Sequence, residues 1–275
     1  MSWDDLLSRA RPEPTTTISV GTNGANVVDV WAPEDGEIHP VVLMIHGGCW
    51  QKAIADRTLM NYAADALRRE GFGVWNIEYR GVDEAGGGYP GTFLDAALAA
   101  DALRDNAVAF DFDLSRVVAY GHSAGGHLAL WLAARRNIDP ASPLAAANPI
   151  PLIGVVTAGG LADLEASAPV TLPSCLARVM GKLTGDASAA RQNVFSDTSP
   201  AELLPLNVQQ VSVNGRRDRI APPSLGKGYT DKATAAGDAA SFALVDGGHV
   251  ELVAPGTSAF DETINIIRAM VDAAE

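Results

Sequence analysis

Short apolar runs of strand length alternate along the chain with longer stretches in which apolar residues recur every third or fourth position. The short runs are Ile18 to Val20, Val27 to Trp31, Val41 to Ile45, Val74 to Tyr79, Val117 to Tyr120, Leu152 to Thr157, Val208 to Val213 and Phe242 to Val245. The first two read as short edge strands. Several of the others are continuous rather than alternating, as expected of parallel strands covered on both faces. Between them, Leu59, Tyr62, Ala63, Ala66 and Leu67 share one helical face, which predicts an amphipathic helix over Asp56 to Glu70 that Gly71 can end. The same spacing predicts helices over Phe93 to Val108, Leu128 to Arg136 and Phe260 to Ala274. Strand and helix in repeated alternation imply an α/β fold, a mostly parallel central sheet with helices on both faces.

The rhythm breaks between Ala158 and Leu206. That stretch holds a short helical piece, Ser174 to Leu183, followed by Gly185, Ser188, Ser196, Ser199 and Pro200. It is too long for a plain connection, so a short lid, or an ordinary excursion packed on the core, is expected over residues 158–206. No internal repeat or low-complexity linker divides the chain. With 275 residues, 47% of them hydrophobic, one core can close, and a single domain over 1–275 is expected.

Composition narrows the partners. A net charge of -13, with four lysines among twenty basic residues, is unsuited to neutralising phosphates, so nucleic acid is not an expected partner. No apolar run approaches the roughly 18 residues that span a bilayer. Met1 to Pro14 places Asp4, Asp5 and Arg9 around Leu6 and Leu7, which is neither the basic nor the apolar region of a secretory signal, and a cytoplasmic location is expected. The two cysteines, Cys49 in a Gly-rich turn and Cys175 in a predicted helix, are too few for a disulfide framework. They are expected as free thiols.

The sharpest chemical signal is Gly121-His122-Ser123-Ala124-Gly125-Gly126, directly after one predicted strand and directly before a predicted helix. A serine on such a strand-to-helix elbow is a nucleophile, because glycines on either side let the turn tighten without collision. A serine hydroxyl needs an adjacent base. Of the five histidines, His249 in Asp246-Gly247-Gly248-His249 follows a late strand and can return to the sheet edge, whereas packing or turn-stabilising roles suit His46, His122 and His127, and His39 lies in a polar loop. The orienting acid belongs between serine and histidine in chain order. Asp218, in a loop after Val208 to Val213, meets that requirement, and Asp246 is its rival. His46-Gly47-Gly48-Cys49-Trp50 follows Val41 to Ile45, and its backbone N–H groups, with that of Ala124, can receive a developing oxyanion. His46 and Cys49 alone cannot complete a four-ligand metal site, so no metal and no cofactor are expected.

Taken together, the His-Gly-Gly-x-Trp loop, Gly-His-Ser-Ala-Gly-Gly and the late Asp and His resemble the α/β-hydrolase superfamily, and within it the small esterase and kynurenine formamidase-like branch. The resemblance runs from about Val27 to the end. It implies Ser123 as nucleophile, His249 as base, Asp218 as acid, and the N–H groups of Gly48, Cys49 and Ala124 as the oxyanion hole. Where related esterases carry a third glycine this chain has Cys49, which leaves the acyl preference open. The function this implies is a serine carboxylesterase acting on a small-molecule ester through an acyl-enzyme. The alternative is an arylformamidase-type amide hydrolase, which uses the same tetrahedral chemistry. A non-catalytic ligand-binding protein on the same fold would lack the catalytic histidine, whereas His249 is in place. A prolyl-oligopeptidase type would need a large further domain. Trp50, Tyr89, Phe93 and Trp131 can be read either as pocket walls or as core.

Overall fold

The structure, a computed structural model, describes residues 1–171 and 175–274. Eight strands form one sheet: β1 (Thr16–Ser19), β2 (Val27–Trp31), β3 (His39–Ile45), β4 (Gly73–Ile77), β5 (Phe112–His122), β6 (Gly154–Ala158), β7 (Gln209–Gly215) and β8 (Ala240–Val245). Their order is β1-β2-β4-β3-β5-β6-β7-β8, with β1 and β2 antiparallel to their neighbours and every pairing from β4 to β8 parallel. The helices are α1 (Trp3–Leu7), α2 (Asn61–Arg69), α3 (Gly91–Asp101), α4 (Leu103–Asn106), α5 (Ala124–Ala134), α6 (Leu164–Val170), α7 (Leu176–Thr184), α8 (Pro223–Ala235) and α9 (Ser258–Asp272).

The continuous apolar runs have the expected cause. Alternate residues of one strand enter two separate cores: Val41, Leu43, Ile45, Val117 and Ala119 pack with Phe93 of α3 and Leu128 and Trp131 of α5. Val42, Met44, Val118 and Tyr120 pack on the opposite face with Leu67 of α2 and Phe260 and Ile267 of α9. A strand buried on both faces has no polar side to show.

Several boundaries differ from the sequence expectation. The strand foreseen from Val117 begins at Phe112, because Asp113, Ser115 and Arg116 conceal its first half behind a polar pattern and a register irregularity at Pro40/Val41. The helix foreseen from Leu128 begins at Ala124, directly on the serine. Three helices were not legible in the pattern. α1 is too short to show periodicity, and is defined instead by a capping box between Ser2 and Asp5 and by fully buried Leu6. α6 contains Pro169, and α8 contains Gly226 and Gly228 with Pro at its start, so their weak propensity is overridden by the packing of residues such as Leu164, Tyr229 and Ala233. Ser174, the first residue of the helical piece expected in the long segment, lies outside the described residues. Among the described residues no helix is long and apolar enough to cross a membrane.

The strand order decides where a site can form. From β3 the chain moves to β4 on one side and then to β5 on the other, so the loops after β3 and β5 part in opposite directions and leave a crevice between them at the carboxyl edge. Ser123 follows β5 and the Gly47-Gly48-Cys49 loop follows β3. The loops after β7 and β8, which hold Asp218 and His249, open on the same edge.

Candidate active site

Ser123 sits where β5 passes into α5, with φ 54° and ψ -119°, a backbone conformation that a residue with a side chain adopts only when its surroundings impose it. A Cβ on Gly121 would lie 2.1 Å from the Gly125 carbonyl oxygen, and one on Gly125 would lie 2.2 Å from that of Ile45. Glycine at both places is therefore a steric requirement of the elbow. The Ser123 N–H donates to Ala158 O at 2.9 Å, which fastens the elbow to the end of β6. Ala124 opens α5, and its N–H has no acceptor within the helix.

His249 lies after β8 and lines the same cavity as Ser123, a space of about 300 Å³. Its Nδ1–H donates to Asp218 Oδ2 at 2.6 Å. Asp218 Oδ1 accepts the N–H groups of Ile220 (2.8 Å) and Ala221 (2.9 Å), so two backbone donors aim the buried carboxylate at the ring. Asp246 is engaged elsewhere: its side chain is 72% exposed and pairs with Arg217. A glycine that the sequence pattern does not single out makes the Asp218–His249 approach possible. At Gly159, φ +59°, a Cβ would lie 3.0 Å from both Asp218 Oδ2 and His249 Nδ1.

Gly48 and Cys49 also line the cavity, and among the described residues neither of their N–H groups is taken by a protein acceptor. The loop is braced from behind. His46 Nε2 lies 2.7 Å from Glu78 Oε1 and its Nδ1 2.7 Å from Gly47 O, and Lys52 Nζ donates to Glu78 Oε2 at 2.5 Å. Burial works to raise the Glu78 pKa, but His46 and Lys52 outweigh it and hold the carboxyl well below the usual range. His122, next to the serine, donates from Nε2 to His249 O at 3.1 Å and packs its ring 4.4 Å from that of His249. Burial pushes its pKa well down, so it stays neutral beside the second histidine.

One expectation changes here, and one reading left open by the sequence takes its core alternative. Cys49 and Cys175 are not free thiols but form a disulfide across 126 residues of sequence. The long segment carries Cys175 to the start of α7, within bonding reach of the loop after β3, and that meeting is invisible to a rule based on cysteine count. The aromatic candidates are not pocket walls: Trp50, Phe93 and Trp131 are fully buried in the core, and Tyr89 bonds Asp197. The walls come instead from Trp3 and Leu7 of α1, Ile54, Leu59 and Ile220. α1 is held over the cavity by Leu6 beneath it, by Tyr62 Oη donating to Arg9 O at 3.3 Å, and by Arg9 Nη1 donating to Pro255 O at 2.9 Å.

Trp50 serves the site indirectly. Its Nε1–H donates to His127 Nδ1 at 3.2 Å, and His127 Nε2–H donates to Thr198 O at 2.7 Å, so one neutral imidazole joins the loop after β3, α5 and the long segment. Burial lowers the His127 pKa to about 4, against a smaller opposite effect of the Thr198 carbonyl. A histidine held neutral in the fold gives stability that is complete above its unfolded value of about 6.5 and lost as pH falls toward the folded value. The loss amounts to about 3 kcal/mol once pH reaches about 4. The melting temperature should therefore fall between these pH values, and His127→Gln should flatten the fall while lowering stability at neutral pH. Melting curves of equal pH dependence in both proteins would assign the acid sensitivity elsewhere.

Residues 28–231 match the family model BD-FAE. No curated protein matches the chain at the sequence level. Among solved structures, an inhibited esterase B from Lactobacillus rhamnosis superimposes with a TM-score of 0.82 at 19% identity, over 98% of this chain and 90% of that one. A bacterial heroin esterase gives 0.73 at 21%, over 93% and 84%. A bifunctional GH43-CE protein from Bacteroides eggerthii gives 0.73 at 19% over 92% of this chain, which spans only 34% of that larger protein. The kynurenine formamidase-like branch is not represented in the family match or in these structures. With three quarters of its length inside the family match, the eight-stranded sheet and the elbow in place, the chain belongs to the BD-FAE family and has the α/β-hydrolase fold of the esterases it resembles.

Proposed function

We propose that the protein is a serine carboxylesterase that cleaves small uncharged esters through an acyl-enzyme. One observation carries the reading: Ser123, on a strained elbow, shares a cavity with an imidazole whose far nitrogen is held by a buried, backbone-anchored carboxylate. Ser123 Oγ attacks the ester carbonyl carbon and His249 Nε2 takes the hydroxyl proton. Asp218 stabilises the imidazolium, and the N–H groups of Gly48, Cys49 and Ala124 receive the oxyanion. Collapse of the tetrahedral intermediate releases the alcohol with the proton from His249, and water, deprotonated by His249, then frees the acid and Ser123.

The walls favour an apolar group of modest size. Among the described residues no Lys, Arg, Asp or Glu lines the cavity, and about 300 Å³ sits at the small end of ligand pockets. That a structure of esterase B carries a tributyrin phosphonate agrees with short acyl chains on this fold. A series of p-nitrophenyl esters of increasing acyl length, assayed beside N-formylkynurenine, tests the reading. Turnover should be greatest for short acyl groups, and turnover confined to N-formylkynurenine would replace the ester reading with the formamide one.

Trp3 provides a second check, because it lines the cavity and stands edge-on to His122 and His249 at ring separations of 5.8 and 6.5 Å. Trp3→Ala should raise the hexanoate-to-acetate ratio of kcat/KM by about tenfold, the scale on which a hydrophobic pocket discriminates chain length. An unchanged ratio would remove α1 from the substrate pocket. The cytoplasmic placement expected from the N-terminal residues is opposed by the Cys49–Cys175 bridge, since such bonds persist mainly in oxidising compartments.

A further inference from the structure

The loop that presents the Gly48 and Cys49 N–H groups has an unfavourable backbone. Gln51 N–H donates to Gly48 O at 2.9 Å, closing a turn whose two central residues, Cys49 and Trp50, have φ of 52° and 55°. Positive φ at both central positions is the mark of a type I′ turn, in which Asn and Gly are the usual occupants. Here the occupants are a disulfide-bonded cysteine and a bulky aromatic residue, so something outside the turn must hold them there. The Trp50 indole is held by His127. For Cys49 the corresponding restraint is the bond to Cys175, a residue 1% exposed at the start of α7.

Helix α7 is a firm anchor. Leu176, Val179 and Leu183 are buried in the core, and Lys182 O accepts the Tyr89 N–H at 2.8 Å. Each central residue of the turn is thus tied by its side chain to a different helix packed on the core, Trp50 to α5 and Cys49 to α7. We infer that Cys175 is a positioning residue for the oxyanion hole, acting through its disulfide with Cys49, so that turnover requires the bridge to be closed. This rests on the proposed use of Ser123 and the Gly48 and Cys49 N–H groups. A dithiol or phosphine reductant opens the bridge: the S–S bond takes two electrons and two protons to give two thiols, while the dithiol gives up both and becomes its own disulfide, or the phosphine gives the electrons and takes the oxygen of a water molecule, whose two protons go to the thiols, to become its oxide. Cys49 is then free to leave the left-handed conformation, and its N–H leaves the site with it.

The test is kinetic, on the full chain. After reduction by a water-soluble phosphine, with both thiols counted, kcat for p-nitrophenyl acetate should fall at least about tenfold, against the 10²–10³ that loss of one oxyanion donor costs. KM should change by less than about threefold, since the donors act chiefly on the transition state. The Ki of a boronic acid, which forms an anionic tetrahedral adduct on the serine, should rise in parallel. Reoxidation should restore all three, and a Cys49→Ala/Cys175→Ala protein should match the reduced enzyme and ignore reductant. Full kcat in a reduced protein with two titratable thiols, or in the double variant, would overturn the inference. Collapse of the near-ultraviolet circular dichroism together with activity would overturn it too, by making the bridge a staple for the whole fold. Ser123→Ala separates the two levels: turnover persisting in that variant refutes the underlying reading, whereas an inactive Ser123→Ala beside a fully active reduced enzyme refutes only the role of the bridge.

Discussion

Ser123→Ala should yield a folded protein that has lost ester turnover by several orders of magnitude, up to about 10⁶ on the scale of serine hydrolases stripped of their nucleophile. The fold should survive because the elbow is built from backbone. The N–H bond to Ala158 O and the close approaches of Gly121 and Gly125 do not involve the hydroxyl. Among the described residues Ser123 Oγ makes no hydrogen bond whose loss would leave a buried partner unsatisfied. Alanine also accepts the positive φ about as readily as serine. An organophosphonate should label the wild-type chain once, at Ser123, and the variant not at all. Labelling at another serine, or undiminished turnover, would remove Ser123 from the mechanism.

Asp218→Asn should lower kcat at least about a hundredfold, while Asp246→Asn leaves it nearly unchanged. Asp218 Oδ1 is committed to the N–H groups of Ile220 and Ala221, so in the variant the amide oxygen must take that place and the amide NH₂ must face His249 Nδ1. A donor there makes Nδ1 an acceptor and sends the ring proton to Nε2, where it cannot receive a proton from serine. The serine-protease precedent for such a tautomer change is a loss of about 10⁴. Asp246 and Arg217 are 72% and 60% exposed, and a surface pair of this kind is worth about 0–1 kcal/mol. Measured kcat and melting temperatures of the two variants decide the assignment. The opposite ranking would move the acid to Asp246.

Both variants probe positions that are legible in the amino-acid sequence, and the reason is physical. Strands such as Val41–Ile45, buried on two faces, must be apolar throughout, and an amphipathic helix such as α2 must repeat its apolar residues with the helical period, so both write themselves into the local pattern. The elbow is similarly local: steric demand at Gly121 and Gly125 lies within a few residues of Ser123. Chain order brings Asp218, its rival Asp246 and His249 to one edge, because the loops of parallel strands return there, but it does not choose between the two carboxylates.

The remaining features join residues far apart in the chain, and their meeting depends on packing rather than on period or motif. Gly159 permits the contact of Asp218 and His249 but has no spacing relation to either. Trp50, in the loop after β3, reaches His127 of α5, and His46 reaches Glu78 from the end of one strand to the end of its neighbour. α1 lines the cavity although it precedes the first strand, and Cys49 meets Cys175 across 126 residues of sequence. The linear pattern carried the strands, the principal helices and the reactive groups, since each is dictated by neighbours in sequence. The cavity walls, the braces behind the loop after β3 and the disulfide were decided by tertiary structure, since no local rule specifies which distant surfaces the closing core will press together.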